Sequence, residues 1–323
     1  MSNQQIQKVK VKRLAHVGLW ATDVLTQARF YRQVLGLDLR LPPDNAVEQD
    51  TETGDAGLFL ALGDEYHCLG LFNDTRPAPG NGRRSARRTQ LHHLAFAVDT
   101  DAELAALAAR LKISGVELTM SPRDGDSDAG DTLWFNDPDG NRIEILVPPD
   151  DVLARTTATS GERYTSLRPL ALQHVALHTP HLDTMVEFYS EALGFDISDW
   201  LLREAAWLRC NHNHHTLMLI QESKQDVDHV GYSISDGQEL LRWGDHLSRQ
   251  HVPILWGPGR HGAGSDLFLR FADSEGLHIE LSAGLEQYYD HDVTSPPRLW
   301  HTRALALNLW GAMPSWMREE IQV

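Results

Sequence analysis

The sequence feature that most constrains the fold is an internal repeat. The segment "LAHVGLWATDVLTQARFYRQVLGLDL", which begins at Leu14, resembles "LQHVALHTPHLDTMVEFYSEALGFDI", which begins at Leu172. Each opens with an alternating apolar strand that carries a histidine. Each then continues into a helical pattern that ends at a glycine, Gly36 or Gly194. A chain that repeats a pattern in this way builds the same structural unit twice.

The likeness continues downstream with the same order of elements. "LHHLAFAVDT" from Leu91 pairs with "VDHVGYSISD" from Val227, and each precedes an amphipathic helical run. "LWFNDPDGNRIEIL" from Leu133 pairs with "LFLRFADSEGLHIEL" from Leu267, and each reads as a strand, a turn rich in Asp and Gly, and a second strand. The sequence therefore predicts an α+β protein with two βαβββ modules in each half.

The length of 323 residues suits two domains of ordinary size. We expect an N-terminal domain at residues 1–150 and a polar linker at 151–169, within "DDVLARTTATSGERYTSLRP". A second domain follows at 170–290. The remaining segment, 291–323, belongs to neither copy, and its many aromatic residues predict that it packs over the second domain.

Composition limits the classes of partner. A hydrophobic content of 41% and a charged content of 23% are typical of a soluble globular protein, and no apolar run has the length of a membrane span or a signal peptide. The two cysteines, Cys68 and Cys210, suit a reducing cytoplasm. The net charge of −16 argues against nucleic acid as a partner. We therefore expect a cytoplasmic protein with neither a nucleic-acid nor a membrane partner.

Each copy supplies a histidine on its first strand, a histidine on a later strand and a glutamate on its last strand. The two sets are His16, His93 and Glu144 in the first copy, and His174, His229 and Glu280 in the second. The last two members of each set are 51 positions apart. Two imidazoles and one carboxylate form the facial ligand set of non-haem Fe(II) enzymes. Strand histidines can also be satisfied core residues, but recurrence at matched positions favours an ancestral metal site in both halves. Whether both halves still bind metal is left open.

A local cluster of histidines lies in "CNHNHHTLMLI", which begins at Cys210 and turns abruptly apolar. One interpretation is a polar turn that enters a strand with its histidines in solvent. The other is that one imidazole faces a pocket, as a metal ligand or an acid/base. This window alone favours the first interpretation, because histidine is often half-exposed.

The chain resembles the vicinal oxygen chelate superfamily and, within it, the two-domain type I extradiol catechol dioxygenases. The resemblance covers roughly residues 10 to 315, and its most specific segments are "WLRCNHNHHTLML", "GPGRHG" at 257–262 and "HIEL". It implies two tandem domains, each a curled sheet around a metal-containing funnel, of which the second is catalytic. It also implies that this domain holds Fe(II), or in some members Mn(II), through His174, His229 and Glu280.

The resemblance further implies roles for two other histidines. His215, the second of the "HH" pair, would be the catalytic acid/base, and His261 in "GPGRHG" would be a second catalytic residue of the pocket. Alternation of side chains along an extended segment predicts that His212 and His214 are surface or structural residues. In the first copy, His67 stands at the position that matches His215. We expect the first-copy set to be a remnant of the duplication.

Two positions depart from the family pattern and bear on the substrate. Arg270 stands where many members carry a tyrosine. Its guanidinium could hold a phenolate, an added hydroxyl or an acidic substituent, or it could turn outward on the strand. Trp256 and the tail segment "ALALNLW" stand where relatives that cleave homoprotocatechuate use arginines. With Arg270 and Trp256 as substrate-binding residues, we expect a neutral, partly hydrophobic ring substituent.

The predicted function is ring opening of a catechol next to its diol, with both atoms of dioxygen inserted and a semialdehyde-type product formed in aromatic degradation. The partners are the catecholic substrate and dioxygen, and the resemblance suggests a homo-oligomer such as a tetramer. Two alternatives are a glyoxalase-like isomerase or metal-dependent thiol transferase on the same modules, and a non-enzymatic protein that binds small molecules. The segments around His215 and His261 favour the dioxygenase.

Overall fold

The structure is a computed structural model that describes residues 9–40, 57–63, 67–76, 90–122, 131–148, 167–289, 295–311 and 313–317. Most of the predicted linker, residues 151–166, lies outside the described residues, as do residues 291–294, 312 and 318–323 of the predicted tail. No helix in the described ranges is long and apolar enough to cross a membrane.

The N-terminal half forms one mixed sheet of eight strands, in the order β2-β3-β4-β1-β5-β8-β7-β6. Its strands are β1 (Arg13–Ala21), β2 (Asp38–Arg40), β3 (Gly57–Ala61), β4 (Leu69–Asn73), β5 (Leu91–Ala97), β6 (Thr119–Pro122), β7 (Asp131–Asn136) and β8 (Arg142–Leu146). Its helices are α1 (Val24–Val34) and α2 (Asp101–Ile113). The chain order is therefore βαβββ twice, as the repeat predicts.

The C-terminal half forms a second sheet, of nine strands, in the order β14-β15-β16-β13-β9-β12-β11-β10-β17. Its strands are β9 (Ala171–Thr179), β10 (Asp196–Leu201), β11 (Ala205–Arg209), β12 (Leu217–Gln221), β13 (Asp226–Ile234), β14 (Ile254–Arg260), β15 (Leu267–Ala272), β16 (His278–Ala283) and β17 (Arg298–Trp300). Its helices are α3 (Leu182–Ala192), α4 (Gly237–Arg249), α5 (Arg303–Leu307) and a 3₁₀ turn at Ser315–Met317. The predicted α+β class and the four βαβββ modules are confirmed.

Local sequence signals explain where the helices begin and end. The side chain of Asp23 accepts a hydrogen bond from the backbone N–H of Thr26 at the start of α1, and Asp236 caps α4 in the same way. Helices α1 and α3 are followed by Gly36 and Gly194, whose φ angles of 70° and 81° lie in the left-handed region. Glycine adopts this region without steric cost, so both predicted helix ends are found.

The two modules of each half meet at the centre of their sheet. There the first strands of the modules pair antiparallel, β1 with β5 and β9 with β13. Within each module the first and last strands pair parallel, as in β9 with β12 and β13 with β16. Four neighbouring strands at the middle of each sheet thus come from both modules, and their side chains alternate between the two faces.

The two halves are joined by a reciprocal pair of buried hydrogen bonds. Tyr31 on α1 donates to Oδ2 of Asp273, in the β15–β16 turn, at 2.9 Å. Tyr189 on α3 donates to Oδ2 of Asp137, in the β7–β8 turn, at 3.0 Å. Around these contacts one continuous cluster of buried apolar side chains extends through both halves. The repeated "FY" of the helix and the repeated Asp of the turn therefore bind the two copies to each other.

Burial determines the ionisation of these groups. It raises the pKa of Asp137 to about 6, although hydrogen bonds from Asn141 and Tyr189 oppose the shift. It also raises the pKa of Asp273 and holds the pKa of Tyr31 well above its usual range. In the Tyr189–Asp137 pair a neutral hydroxyl therefore donates at pH 7 to a carboxylate, which is one of the stronger kinds of hydrogen bond.

We predict that Tyr31→Phe and Tyr189→Phe each lower the free energy of unfolding by about 1–3 kcal/mol, because each leaves a buried carboxyl group without one hydrogen-bond donor. The two losses should be similar in size and should add in the double variant, because the contacts are separate. Urea unfolding followed by circular dichroism measures them. Tyr289→Phe, whose side chain is 76% exposed, is the control. A loss confined to one of the two variants would contradict the reciprocal arrangement.

Candidate metal centre

Strand register in the C-terminal sheet brings the predicted ligands to one face. His174 on β9 lies opposite Gly231 on β13, and Gly231 lies opposite Glu280 on β16. His229 is two residues before Gly231, so its side chain points to the same face. A Cβ at position 231 would lie 2.1 Å from Cε1 of His174, so the missing side chain leaves space for that ring.

The spacing of the ligand atoms fits a single ion. Nε2 of His174 lies 3.0 Å from Nε2 of His229 and 3.5 Å from Oε1 of Glu280. Nε2 of His229 lies 4.0 Å from Oε2 of Glu280. An ion that binds its ligands at about 2.1 Å holds adjacent ligand atoms about 3 Å apart at a right angle. All three side chains are buried. These residues can therefore hold a first-row divalent metal.

Two neighbouring side chains orient the imidazoles. Nδ1 of His229 lies 2.6 Å from Oδ1 of Asp228, and Nδ1 of His174 lies 3.1 Å from Oε1 of Gln173. An acceptor at Nδ1 keeps the proton there and leaves Nε2 facing the centre, as in other histidine metal sites. Burial, with Arg270 adding to it, lowers the pKa of His229 to about 4, so this ring is neutral at pH 7 and able to bind a metal.

Arg270 lies directly against the ligand set. Its Nε donates to Oε2 of Glu280, its Nη1 lies 3.2 Å from Oδ1 of Asp228, and its Nη2 lies 3.2 Å from Nε2 of His229. Of the two orientations left open by the sequence, the side chain adopts the inward one. Burial by itself would raise the pKa of Glu280, but Arg270 and the histidines hold it well below its usual range. The Glu280 carboxylate is therefore ionised.

His215 lies beside the first ligand. Its ring centroid is 4.4 Å from that of His174, and its side chain is buried. Burial, with the neighbouring histidines His174 and His214, holds the pKa of His215 well below its usual range. Nδ1 of His215 lies 3.1 Å from Nδ1 of His214, which leaves Nε2 as the second nitrogen of the ring. The ring is thus neutral and can accept a proton.

His261 has the opposite electrostatic character. Its Nδ1 lies 2.5 Å from the carbonyl of Leu307 in the tail, and its Nε2 lies 3.3 Å from Oε2 of Glu280. Burial lowers the pKa of His261, but the Glu280 and Asp266 carboxylates outweigh it and the net shift is upward. Both ring nitrogens face acceptors, which favours a doubly protonated ring that can donate at either end.

The remaining histidines of "CNHNHHTLMLI" differ from each other. His212 is exposed, whereas His214 is fully buried, with Nε2 3.2 Å from Oδ2 of Asp199. Asp199 also pairs with Arg298 at 2.7 Å, which gives His214 a structural position beneath β17. The alternation argument does not apply here, because residues 211–216 form a turn before β12 begins and not an extended strand.

Apolar side chains surround the centre on two sides. Trp256 is buried, with its ring centroid 6.0 Å from that of His261 and 5.1 Å from Cζ of Arg270. On the other side, Trp207, Met218 and Ala176 lie in register across β11, β12 and β9, in line with His229. Ala306 of α5 packs on this second group.

Sequence reasoning missed several residues that support the centre. Asp228 was detectable, because it immediately precedes a ligand histidine in "VDHV". Asp266, which forms a third buried group with His261 and Glu280, gives no comparable signal. The carbonyl of Leu307 gives none either, since any residue supplies a backbone oxygen. The first-copy set, His16, His93 and Glu144, is brought together as the C-terminal set is.

Comparison with known protein families identifies the superfamily to which the chain belongs. The pattern of the Glyoxalase/Bleomycin resistance protein/Dioxygenase superfamily matches residues 13–145 and 171–281, and the chain belongs to this superfamily. This confirms the family resemblance drawn from the motifs.

Two relatives and one solved structure are similar to this chain. An iron-dependent extradiol dioxygenase of Rhodococcus jostii (strain RHA1) is 24% identical over 94% of this chain and 97% of its own length. Metapyrocatechase 2 of Cupriavidus necator is 28% identical over 62% of this chain and 66% of its own length. Among solved structures, the Mn(II)-bound glyoxalase from Novosphingobium aromaticivorans is 26% identical with a TM-score of 0.73, covering 94% of this chain and 91% of that one.

Proposed function

We propose that this protein is an extradiol dioxygenase that opens the ring of a catechol next to its diol and yields a semialdehyde-type product. The proposal rests on one observation. Two histidines and one glutamate that can bind a metal share a buried face with two further histidines, His215 and His261, whose pKa values shift in opposite directions. The iron-dependent extradiol dioxygenase and the metapyrocatechase among the relatives support the same reaction.

The ligand set is His174, His229 and Glu280, and the proposed ion is Fe(II), with Mn(II) as the other ion that these donors accept. When bound, such an ion supplies open positions at which a catecholate chelates and dioxygen is activated. The chain's own residues then orient the substrate and manage its protons.

His215 is proposed as the base. Because its ring is neutral at pH 7, Nε2 can accept a proton from a catechol hydroxyl beside His174. His261 is proposed as the donor on the opposite side, because a protonated ring at Nε2 stabilises negative charge that develops on a substrate oxygen. Their separate environments give two histidines two different roles, as burial and neighbouring charges do in other acid/base pairs.

Arg270 and Trp256 are proposed to select the ring substituents. The Arg270 guanidinium would lie beside a substrate phenolate or an added hydroxyl. Trp256, with the group formed by Trp207, Met218, Ala176 and Ala306, leaves apolar walls on which a neutral substituent packs. A homo-oligomer is also proposed, and light scattering after size-exclusion chromatography would determine the number of subunits.

A glyoxalase-type isomerase is the second candidate, because the Mn(II)-bound glyoxalase shares the whole fold. The two reactions differ in their need for dioxygen. Protein reconstituted with Fe(II) without air should leave catechol unchanged, and admission of air should give a yellow product with consumption of one O₂ per ring opened. Product formation without dioxygen would exclude the dioxygenase.

We predict that Glu280→Ala loses the metal held by the C-terminal set and all detectable ring cleavage, because a carboxylate ligand is removed. Metal analysis after gel filtration and the semialdehyde assay measure both effects, and circular dichroism checks the fold. Glu187→Ala, at an exposed position of α3, is the matched control. Undiminished metal content would show that the ligand assignment is wrong.

His215→Asn should keep metal and substrate binding but slow turnover by about 10²- to 10⁴-fold, the usual contribution of a general acid/base. Stopped-flow kinetics on Fe(II)-loaded protein, with metal analysis on the same sample, separates a catalytic role from a ligand role. The matched control is His212→Asn, because His212 belongs to the same segment and is exposed. Loss of the metal would make His215 a ligand, and unchanged kinetics would remove it from the mechanism.

The substrate preference follows from the walls of the centre. Each buried methylene contributes about 0.8 kcal/mol, and an unpaired carboxylate buried against the same walls is penalised more heavily. Methyl- and other neutrally substituted catechols should therefore exceed homoprotocatechuate in kcat/KM, in a panel assayed at one pH. If homoprotocatechuate ranks first, Arg270 or another arginine binds the carboxylate and the proposed preference fails.

A further inference from the structure

The N-terminal half contains a second set of the same three residue types, which the proposed reaction does not use. His16 on β1 lies opposite Ala95 on β5, and Ala95 lies opposite Glu144 on β8. His93 is two residues before Ala95 and points to the same face. The arrangement repeats that of His174, Gly231, Glu280 and His229 strand for strand.

The three ligand atoms lie close enough to share one ion. Nε2 of His16 is 2.7 Å from Nε2 of His93 and 3.2 Å from Oε2 of Glu144, and Nε2 of His93 is 3.8 Å from Oε2 of Glu144. The corresponding distances in the C-terminal set are 3.0, 3.5 and 4.0 Å. Every pair in the N-terminal set is thus at least as close as its counterpart.

The charge of the N-terminal set is less compensated than that of the C-terminal set. Glu144 is buried, and of the described residues only His16 and His93 lie within 4.0 Å of its carboxylate as ionic partners. Opposite Glu144 stands Trp134, whereas Arg270 stands opposite Glu280. Arg142, two residues before Glu144 on β8, lies over the Trp134 ring, with Cζ 3.9 Å from the ring centroid. A divalent ion among His16, His93 and Glu144 would contact the buried carboxylate directly, as Arg270 contacts Glu280 in the other half.

The surrounding residues orient the imidazoles toward the centre. Nδ1 of His93 lies 2.6 Å from Nδ1 of His92, a contact that holds one proton between them and leaves Nε2 of His93 facing Glu144. A Cβ on Gly18 would lie 2.3 Å from Nδ1 of His93, so the glycine leaves space for that ring. The ring centroid of His67 lies 4.2 Å from that of His16, close to the 4.4 Å between His215 and His174.

We propose that His16, His93 and Glu144 form a second metal site, which binds a first-row divalent cation in the N-terminal domain. The site is independent of the proposed reaction, and it replaces the hypothesis that this set is only a remnant. Its donors suit Mn(II), Fe(II), Co(II) or Zn(II). The chain would then hold one ion in each half.

The test is metal stoichiometry with Co(II) as the probe. Metal-free full-length protein is titrated without air, passed through a desalting column and analysed for cobalt. The visible spectrum reports the coordination. Wild-type protein should hold two equivalents, Glu144→Gln one, Glu280→Gln one, and the double variant none. Glu117→Gln, at an exposed position of the same half, is the matched control and should hold two.

Two results would overturn the proposal. One is a wild-type stoichiometry of one equivalent that Glu144→Gln leaves unchanged. The other is a double variant, Glu144→Gln with Glu280→Gln, that holds as much cobalt as Glu280→Gln alone. The retained cobalt would then be bound by the remaining C-terminal residues, and not by the N-terminal set. If Glu144→Gln fails to fold, His16→Asn takes its place in the same comparison. It must then remove one equivalent both from the wild-type protein and from Glu280→Gln.

Discussion

The antiparallel pairing of β9 with β13, with Gly231 between two ligands, is the contact on which the rest of the centre depends. It brings strands from two modules side by side, so that the proposed ligands His174, His229 and Glu280 share one face. Because Gly231 has no side chain, the His174 ring occupies the space above it. Any slip by one residue would turn the ligands to opposite faces of the sheet.

Around this contact, burial and neighbouring charges lower the pKa of His229 and His215 and raise that of His261. Arg270 neutralises Asp228 and Glu280 together, burial keeps His229 and His215 neutral, and the carboxylates favour a protonated His261. Cationic Arg270 beside ligand atoms also opposes metal binding by simple repulsion. The C-terminal centre therefore combines a carboxylate-oriented histidine, which strengthens metal binding, with an arginine, which weakens it.

The duplication explains both the stability of the molecule and the divergence of its two centres. The same tyrosine and aspartate positions of the repeat join the halves, which makes each copy a structural partner of the other. The first-copy ligand set has kept its register while the residues around it have changed. Trp134 and His92 stand where the second copy has Arg270 and Asp228. The two centres thus share a strand register but differ in the charged residues beside it.

The sequence by itself determined the four βαβββ modules, the helix ends at Gly36 and Gly194, and the two sets of two histidines and one glutamate that we propose as metal ligands. These follow from patterns whose spacing is repeated within the chain, and periodicity and spacing are local properties. Only the tertiary structure decided the inward orientation of Arg270, the burial of His214 on Asp199, and the contact of the Leu307 carbonyl with His261. Each of these depends on which distant segments pack together. The orientation of a side chain in a turn or on a strand depends on the residues that it contacts in the folded protein. Those residues are distant in the chain, so the local sequence does not identify them.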